Sequence, residues 1–513
     1  MPDLLGRSPL LRAWGVIALW VLAYAVLKVV QPDGMDIDSA EQVYFAQSWQ
    51  MGYGLRQPPL YTWLLLALKP AGASWELTLE CARYLVLLTW LGGVQGLARA
   101  LGANPATQAR VLLAHLGLML AMWRVHDSLT HTVLAGAITL WGSVAVAKAL
   151  AAPRWWPAVG LLAAAACLAK LNAVLWCGSS LLAALGVLAW QGRSRGLGVW
   201  PLWRAHLGGL LLALGLCLLC LAPYAQWWWV QRDGPLSLAH QIVVSDGHVA
   251  WWRPGVDVVL GSVEYLLLVP LWLGLLAWFK GRRAAASPAP SLAMRWVGWQ
   301  VLCGLVLLVV LVSAMKGSHF TPRWLWPVVP GFTVWLCVWA LGRAAVLPAV
   351  WARRFDMLIW GGVALALMLA LVRWWEPTRT AQHCRNCWTD RPSEAMSVAL
   401  HARFGAGPLR LVTGDDHLAG ILADARPQDR TWTAVSPDLP PPLGFAAAQA
   451  PCVAVWLDMD QPQAAPAELQ AMLALGPVGE VWRQQWPLAR APQRTQWLQA
   501  VMMRDEVCAR APR

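Results

Sequence analysis

From Trp14 to about Arg373 the chain returns repeatedly to apolar runs close to the roughly 20 residues that carry a helix across the hydrocarbon core of a bilayer. With 58% hydrophobic and only 13% charged residues, it fits a polytopic membrane protein far better than a soluble globule. Many of the 37 tryptophans stand at run ends, as in "AQWWWVQ", "AWWRPG" and "VRWWEP", where interfacial aromatic belts form. No small-residue cleavage site follows the first run, which predicts a retained span rather than a signal peptide.

The formal net charge is +13, and its placement says more than its size. Arg7 and Arg12, Arg99 and Arg110, Lys148 and Arg154, then Arg193, Arg195 and Arg204 alternate with the apolar runs. Lys280, Arg282 and Arg283 continue the pattern, as do Arg343, Arg353 and Arg354. By the positive-inside rule these residues mark the cytoplasmic side, which predicts about eleven spans with the N-terminus inside and the C-terminus outside. The expected spans are 12–30, 76–98, 107–123, 129–149, 156–171, 173–190, 207–225, 258–279, 296–314, 324–342 and 356–373. The link at Lys170 and Asn172 is so short that the helices around it read equally as one bent span. No basic patch remains on a soluble face, so nucleic acid is not an expected partner.

Composition shifts after Trp375. Residues 1–375 read as a transmembrane catalytic domain whose outer loop, 31–75, carries interfacial helices. Residues 376–513 read as a small soluble α/β domain. Strands are expected at "LRLVTG", "TWTAV", "CVAVWLD" and "GEVWRQ", and helices at "EAMSVALHARF" and "PAELQAMLAL". Of the 11 cysteines, seven lie in spans as small apolar residues. Cys384, Cys387, Cys452 and Cys508 lie in the outer domain, where an even number favours disulfides. "HCRNCWTD" could also form half a zinc site, but a second close pair with ligand spacing is missing.

The first outer loop holds "MDIDSAEQVYFAQSWQMGYGLRQPPLYTWL", residues 35–64. Ser39 and Gln42 have capping-box spacing, which predicts a helix from Ala40 to Met51 with Asp36 and Asp38 on the loop before it. Tyr44, Phe45 and Trp49 predict that this helix lies at the membrane interface. "QPPLYTWLLLAL" has a Pro-Pro start and an apolar run too short to span, as in a second interfacial or re-entrant piece. Other ionisable groups fall at the same expected level: Glu76, Glu80 and Arg83; Arg124, His126, Asp127 and His131; Lys316, His319 and Arg323. Each has a plain reading, as solvated loop acid, i, i+3 helix pair, structural histidine or snorkelling cation. Deep charges cost about 2.5–3.5 kcal/mol each, however, and a rim carrying both signs predicts a site. Pro327 and Pro330 predict a kink in the helix after Arg323, and Glu264 in the eighth span has no assigned role. Carboxylates beside cations can deprotonate an acceptor while Lys and Arg hold a phosphate, which are the needs of group transfer from a phosphorylated, lipid-borne donor. The alternative, a multi-span transporter or lipid flippase, would place its site near the bilayer midplane rather than at one rim.

In these residues the chain resembles the membrane-embedded GT-C glycosyltransferases, the bacterial relatives of protein O-mannosyltransferases and of the aminoarabinose transferase that modifies lipid A. The likeness rests on the acidic first loop from Asp36 to Glu41, "QPPLYTWL", Asp127 before the fourth span, and "K…RWLWPVVP" from Lys316 to Pro330. It implies transfer of a sugar, with inversion, from a polyprenyl-phosphate donor to an envelope acceptor (lipid, glycan or protein) at the outer face of a bacterial cytoplasmic membrane, with a periplasmic C-terminal domain. Carried onto this chain, it makes Asp38 the base and Asp36, Glu41 and Asp127 supporting acids. Arg83, Arg124, Lys316 and Arg323 become donor-phosphate ligands, and Tyr61, His126 and His319 substrate-binding candidates. Relatives often have Glu directly after the key Asp, where this chain has Ser39. No cofactor is required by this scheme, since basic side chains can hold a singly charged phosphodiester; a divalent metal bridging Asp38 and Asp127 is the alternative.

Overall fold

The computed structural model describes residues 8–30, 35–53, 57–70, 73–126, 130–196, 198–230, 250, 252–281, 290–314, 320–344, 348–380, 391–434, 441–447, 449–488 and 494–509. The chain packs as two units, Met1–Tyr24 with Arg83–Ala370, and Ala25–Ala82 with Leu371–Arg513. The segment 31–75 therefore packs with the C-terminal residues.

In chain order the helices are α1 (Pro9–Val30), α2 (Ile37–Phe45), α3 (Leu60–Leu68), α4 (Trp75–Ala100), α5 (Pro105–Leu116), α6 (Met119–Met122), α7 (Thr130–Ala151), α8 (Trp156–Ala169), α9 (Ala173–Ser194) and α10 (Trp200–Val230). They continue as α11 (Arg253–Leu266), α12 (Val269–Gly281), α13 (Leu292–Ala314), α14 (Leu325–Val328), α15 (Phe332–Ala344) and α16 (Ala349–Thr380). Among the described residues seven helices, α1, α4, α7, α9, α10, α13 and α16, are long and apolar enough to span a membrane. Each falls on an expected span. The segment 322–343 is a bent pair with an 80° break, where Pro327 and Pro330 led one to expect a kink.

The remaining expected spans are short or interrupted. The 156–171 segment is the 14-residue α8, and Lys170 to Asn172 form a true break before α9. The 107–123 and 258–279 segments break at Gly117–Leu118 and Leu267–Leu268, where Leu118 and Leu268 form an antiparallel bridge. Leu268 has φ 75, a left-handed conformation that no helix continues through. Such interruptions are tolerated at membrane depth where protein supplies partners for the freed backbone groups. At the 322–343 break, Gln300 Nε2 donates to the Val328 carbonyl at 2.8 Å and to Ser179 Oγ at 2.8 Å.

Helix α7 is the buried centre of the first unit, as its small residues allow. A Cβ on Gly136 would collide with the Trp326 ring, and one on Gly142 with Trp176. Close approach over small residues replaces the hydrophobic drive that water would otherwise supply. Helix α10, by contrast, buries only His206, Ala213 and Tyr224 and presents its leucines outward.

The second unit contains α2, α3, helices α17 (Ser393–Phe404), α18 (Asp416–Ala425), α19 (Ala467–Leu473) and α20 (Asp505–Ala509), and a five-stranded sheet. Its strands are β1 (Arg410–Thr413), β2 (Arg430–Thr433), β3 (Cys452–Met459), β4 (Pro477–Pro487) and β5 (Thr495–Met503), in order β2-β1-β3-β5-β4. β1 pairs in parallel with β2 and β3, while β5 runs antiparallel to β3 and β4. The four expected strands and two expected helices are all present, and β5, α18 and α20 are additions. Cys452 and Cys508 form a disulfide that ties α20 to the start of β3; Cys384 and Cys387 lie outside the described residues.

Candidate active site

The acidic stretch begins its helix earlier than its capping-box spacing predicts. Asp36, not Ser39, is the N-cap: its Oδ1 accepts from the Ser39 backbone N–H at 2.8 Å and its Oδ2 accepts from Ser39 Oγ at 3.0 Å. Asp38 is therefore in the first helical turn rather than on the preceding loop, where its charge is favoured by the positive end of the helix. The helix also ends at Phe45 instead of Met51.

On α2 the residues Asp38, Glu41 and Gln42 share one face by their i, i+3, i+4 spacing. That face meets the "QPPLYT" stretch. Gln57 Nε2 donates to Glu41 Oε2 at 3.0 Å, and Thr62 Oγ1 donates to Gln42 Oε1 at 3.1 Å. Pro58 and Pro59 are buried and lead into α3, whose Tyr61 is only 1% exposed. Asp36 and Glu41 thus serve caps and positioning bonds, and Asp38 remains half-buried at the start of the same face.

The opposite side of α2 is held by the C-terminal residues. Helix α18 packs against it so closely that a Cβ on Gly420 would overlap the Ala40 backbone. His417 Nε2 donates to the Met35 carbonyl at 2.8 Å, just before the cap, while Arg391 donates to His417 Nδ1 at 2.8 Å. These two bonds require the neutral Nε2–H tautomer. Burial first, and the Arg391 charge second, lower the His417 pKa to about 4. Beyond the helix, the Gln47 side-chain amide donates through Nε2 to Thr431 O at 3.0 Å and accepts through Oε1 from Thr431 N–H at 2.9 Å, which satisfies both backbone groups of Thr431 on the edge strand β2. Tyr44, Phe45 and Tyr53 join Trp432, Phe445 and Trp456 in one core, so two of the aromatics expected at a membrane interface are inside this unit. Trp49 stays exposed. The Tyr53 hydroxyl donates to Ser48 O at 2.9 Å, and burial pushes its pKa up to about 12.

In the first unit, Arg83 is buried and its Nη1 donates to the His126 carbonyl at 2.6 Å. His126 has no exposure: its ring stacks on Tyr24 at 3.5 Å and meets Trp20 edge-on at 5.0 Å. Tyr24 in turn donates to Met122 O at 2.7 Å. Arg323 is exposed on the turn Pro322–Trp324, and Arg124 lies on the turn Arg124–His126. Asp127, Lys316 and His319 lie outside the described residues. A cation not singled out from sequence stands at the α8–α9 break: Lys170 Nζ donates to Thr132 Oγ1 at 2.7 Å, beside the buried His131, whose Nδ1 is 3.2 Å from Ala169 O. Its only sequence signal is a charge at a helix link. Glu264 is exposed.

No family model matches the chain. Over 461 residues it is 25% identical to the lipopolysaccharide core galacturonosyltransferase RgtA of Rhizobium johnstonii, covering 86% of this chain and 85% of that protein. It is 24% identical to RgtB of the same organism, covering 86% of each. Its fold is similar to that of ArnT from Cupriavidus metallidurans in the apo state, with a TM-score of 0.53 and 16% identity over 97% of this chain and 99% of that one. The same protein bound to undecaprenyl phosphate gives 0.54 and 14%, over 94% of this chain and 97% of that one.

Proposed function

We propose that this chain, a membrane glycosyltransferase of the GT-C superfamily, moves a sugar from a polyprenyl-phosphate donor to an envelope acceptor at the outer face of a bacterial cytoplasmic membrane. The observation that carries the reading is the two-sided bracing of the Asp38 helix. Gln57 and Thr62 of the "QPPLYT" stretch hold its acidic face and α18 its opposite face, as suits a base fixed before substrate arrives. The relatives' names make a galacturonosyl donor and a lipopolysaccharide core acceptor the first candidates. The Cys452–Cys508 bond supports an oxidising, periplasmic setting for the second unit.

In this mechanism Asp38 removes a proton from the acceptor hydroxyl as its oxygen attacks the anomeric carbon on the face opposite the phosphate. The bond from that carbon to the phosphate oxygen breaks, polyprenyl phosphate leaves with the bonding pair, and the anomeric centre inverts. Arg83, Arg124, Lys316 and Arg323 are the residues assigned to the leaving phosphate, where losing one such group costs a few kcal/mol of transition-state stabilisation. Asp36, Glu41 and Asp127 are supporting acids, the first two through the bonds described above. Tyr61 and His126 are buried and act only through the packing around them, which leaves His319 as the proposed substrate-side group.

Mass spectrometry of envelope glycolipids with and without the gene tests the reaction. The expected result is one missing sugar mass on the acceptor, restored by the wild-type chain. An unchanged glycolipid profile, together with solute or lipid flux through vesicles containing the purified protein, would replace transfer by transport.

A further inference from the structure

Helices α4 and α7 run in the same direction and meet over glycines. A Cβ on Gly93 would stand 3.1 Å from Leu140, and one on Gly96 would stand 3.3 Å from Val144. Beside this seam is a cavity of about 580 Å³, with Gly92, Gly96 and Trp141 along its apolar length and Arg99 and Lys148 at its end. The Trp141 ring is fixed as a flat wall by its Nε1–H, which donates to Thr89 O at 2.9 Å. Gln95 adds an amide that already accepts from Trp14 Nε1 at 2.8 Å.

The two cations fall side by side for a simple reason. Arg99 is three residues past Gly96, and Lys148 four past Val144, so each stands one turn beyond the same contact. Both are exposed, and among the described residues neither has a carboxylate within ion-pair reach. Lys148 lies instead over the Trp155 ring, 4.4 Å from its centre. Basic residues at helix ends need no cavity merely to mark topology or to snorkel. Here an apolar slot lies between spanning helices and ends in an uncompensated positive pair, which is the shape and charge of a lipid chain with an anionic headgroup. Counting about 1.5 Å per residue, this end of α4 and α7 lies about 25 Å along the helix axes from Arg83 and Thr130. It is therefore separate from the proposed donor-phosphate residues at the other end.

We propose that this groove binds one anionic phospholipid, its headgroup phosphate between Arg99 and Lys148 and one acyl chain along Gly92 and Gly96 against Trp141. Native mass spectrometry of the full chain in detergent tests it, with phosphatidylglycerol, phosphatidylcholine and inorganic phosphate added in separate arms. One retained phosphatidylglycerol per chain is expected, with little phosphatidylcholine and no displacement by millimolar phosphate. Arg99→Gln with Lys148→Gln should weaken retention about thirty-fold, from the usual worth of two interfacial cations. Lys148→Gln alone, a change at an exposed position, should weaken it several-fold and serves if the double variant does not fold. Equal retention of both lipids, unchanged retention in Lys148→Gln, or full displacement by phosphate would each overturn the assignment.

Discussion

Gly420 of α18 abuts the Ala40 carbonyl of α2, with no room between them for a single methyl group. Because the obstacle is backbone on both sides, neither helix can yield by rotating a side chain. Gly420→Ala should push α2 away and move Asp38 with it. The expected outcome is donor turnover at least ten-fold lower, with a loss of stability of about 1–3 kcal/mol or more from overpacking. Gly407→Ala, where a Cβ meets nothing within 4 Å, is the control and should behave as wild type. Equal turnover in both variants would show that the contact does not position the base.

His417 gives the same junction a pH dependence. Its folded pKa, about 4, lies below the ordinary 6.5, so the unfolded chain binds the proton more readily. The stabilisation is complete above about 6.5 and is lost as pH falls towards 4, a total on the order of 3 kcal/mol. Protonation places an N–H on Nδ1 against Arg391, whose own carboxylate partner is Asp415. The opening constant at residues 36–40, obtained from hydrogen exchange after division by the intrinsic amide rate at each pH, should rise between pH 6.5 and 4.5 in wild type. His417→Gln, which cannot titrate, should show no such rise; parallel profiles would contradict this.

The Cys452–Cys508 bond closes a loop over 56 positions and should contribute about 2–4 kcal/mol to the second unit. Cys452→Ser with Cys508→Ser should lower the unfolding temperature of that unit by several degrees. An unchanged temperature would mean that the bond constrains nothing the fold needs.

How far this arrangement could be read in the sequence depended on which forces were local. The long spans were legible because an apolar run in lipid has one low-cost backbone conformation. Their interruptions were only faintly signalled, by Gly117 beside Leu118 and by Pro270 just after Leu268, because the bridge that fixes them joins residues 150 positions apart. The α2 start was misplaced by three residues because Asp36 with Ser39, and Ser39 with Gln42, offer the same capping geometry; the structure uses the first pair. Tyr44 and Phe45 gave a correct signal of burial, but not of the partner. Their cover comes from residues nearly 400 positions later, such as Trp432 and Phe445. The acidic stretch and "QPPLYT" stood out in the sequence as separate motifs, whereas their meeting through Gln57 and Glu41 required the fold.

We assign Asp38, on a helix capped by Asp36 and braced from both sides, as the base for sugar transfer. Release of polyprenyl phosphate by purified Asp38→Asn protein, measured beside wild type and Asp36→Asn, tests this most directly. Turnover should fall at least a hundred-fold in Asp38→Asn with unfolding unchanged, and only slightly in Asp36→Asn, whose amide oxygen still accepts from the Ser39 backbone N–H and keeps the cap. Full turnover by a folded Asp38→Asn protein would remove Asp38 as the base.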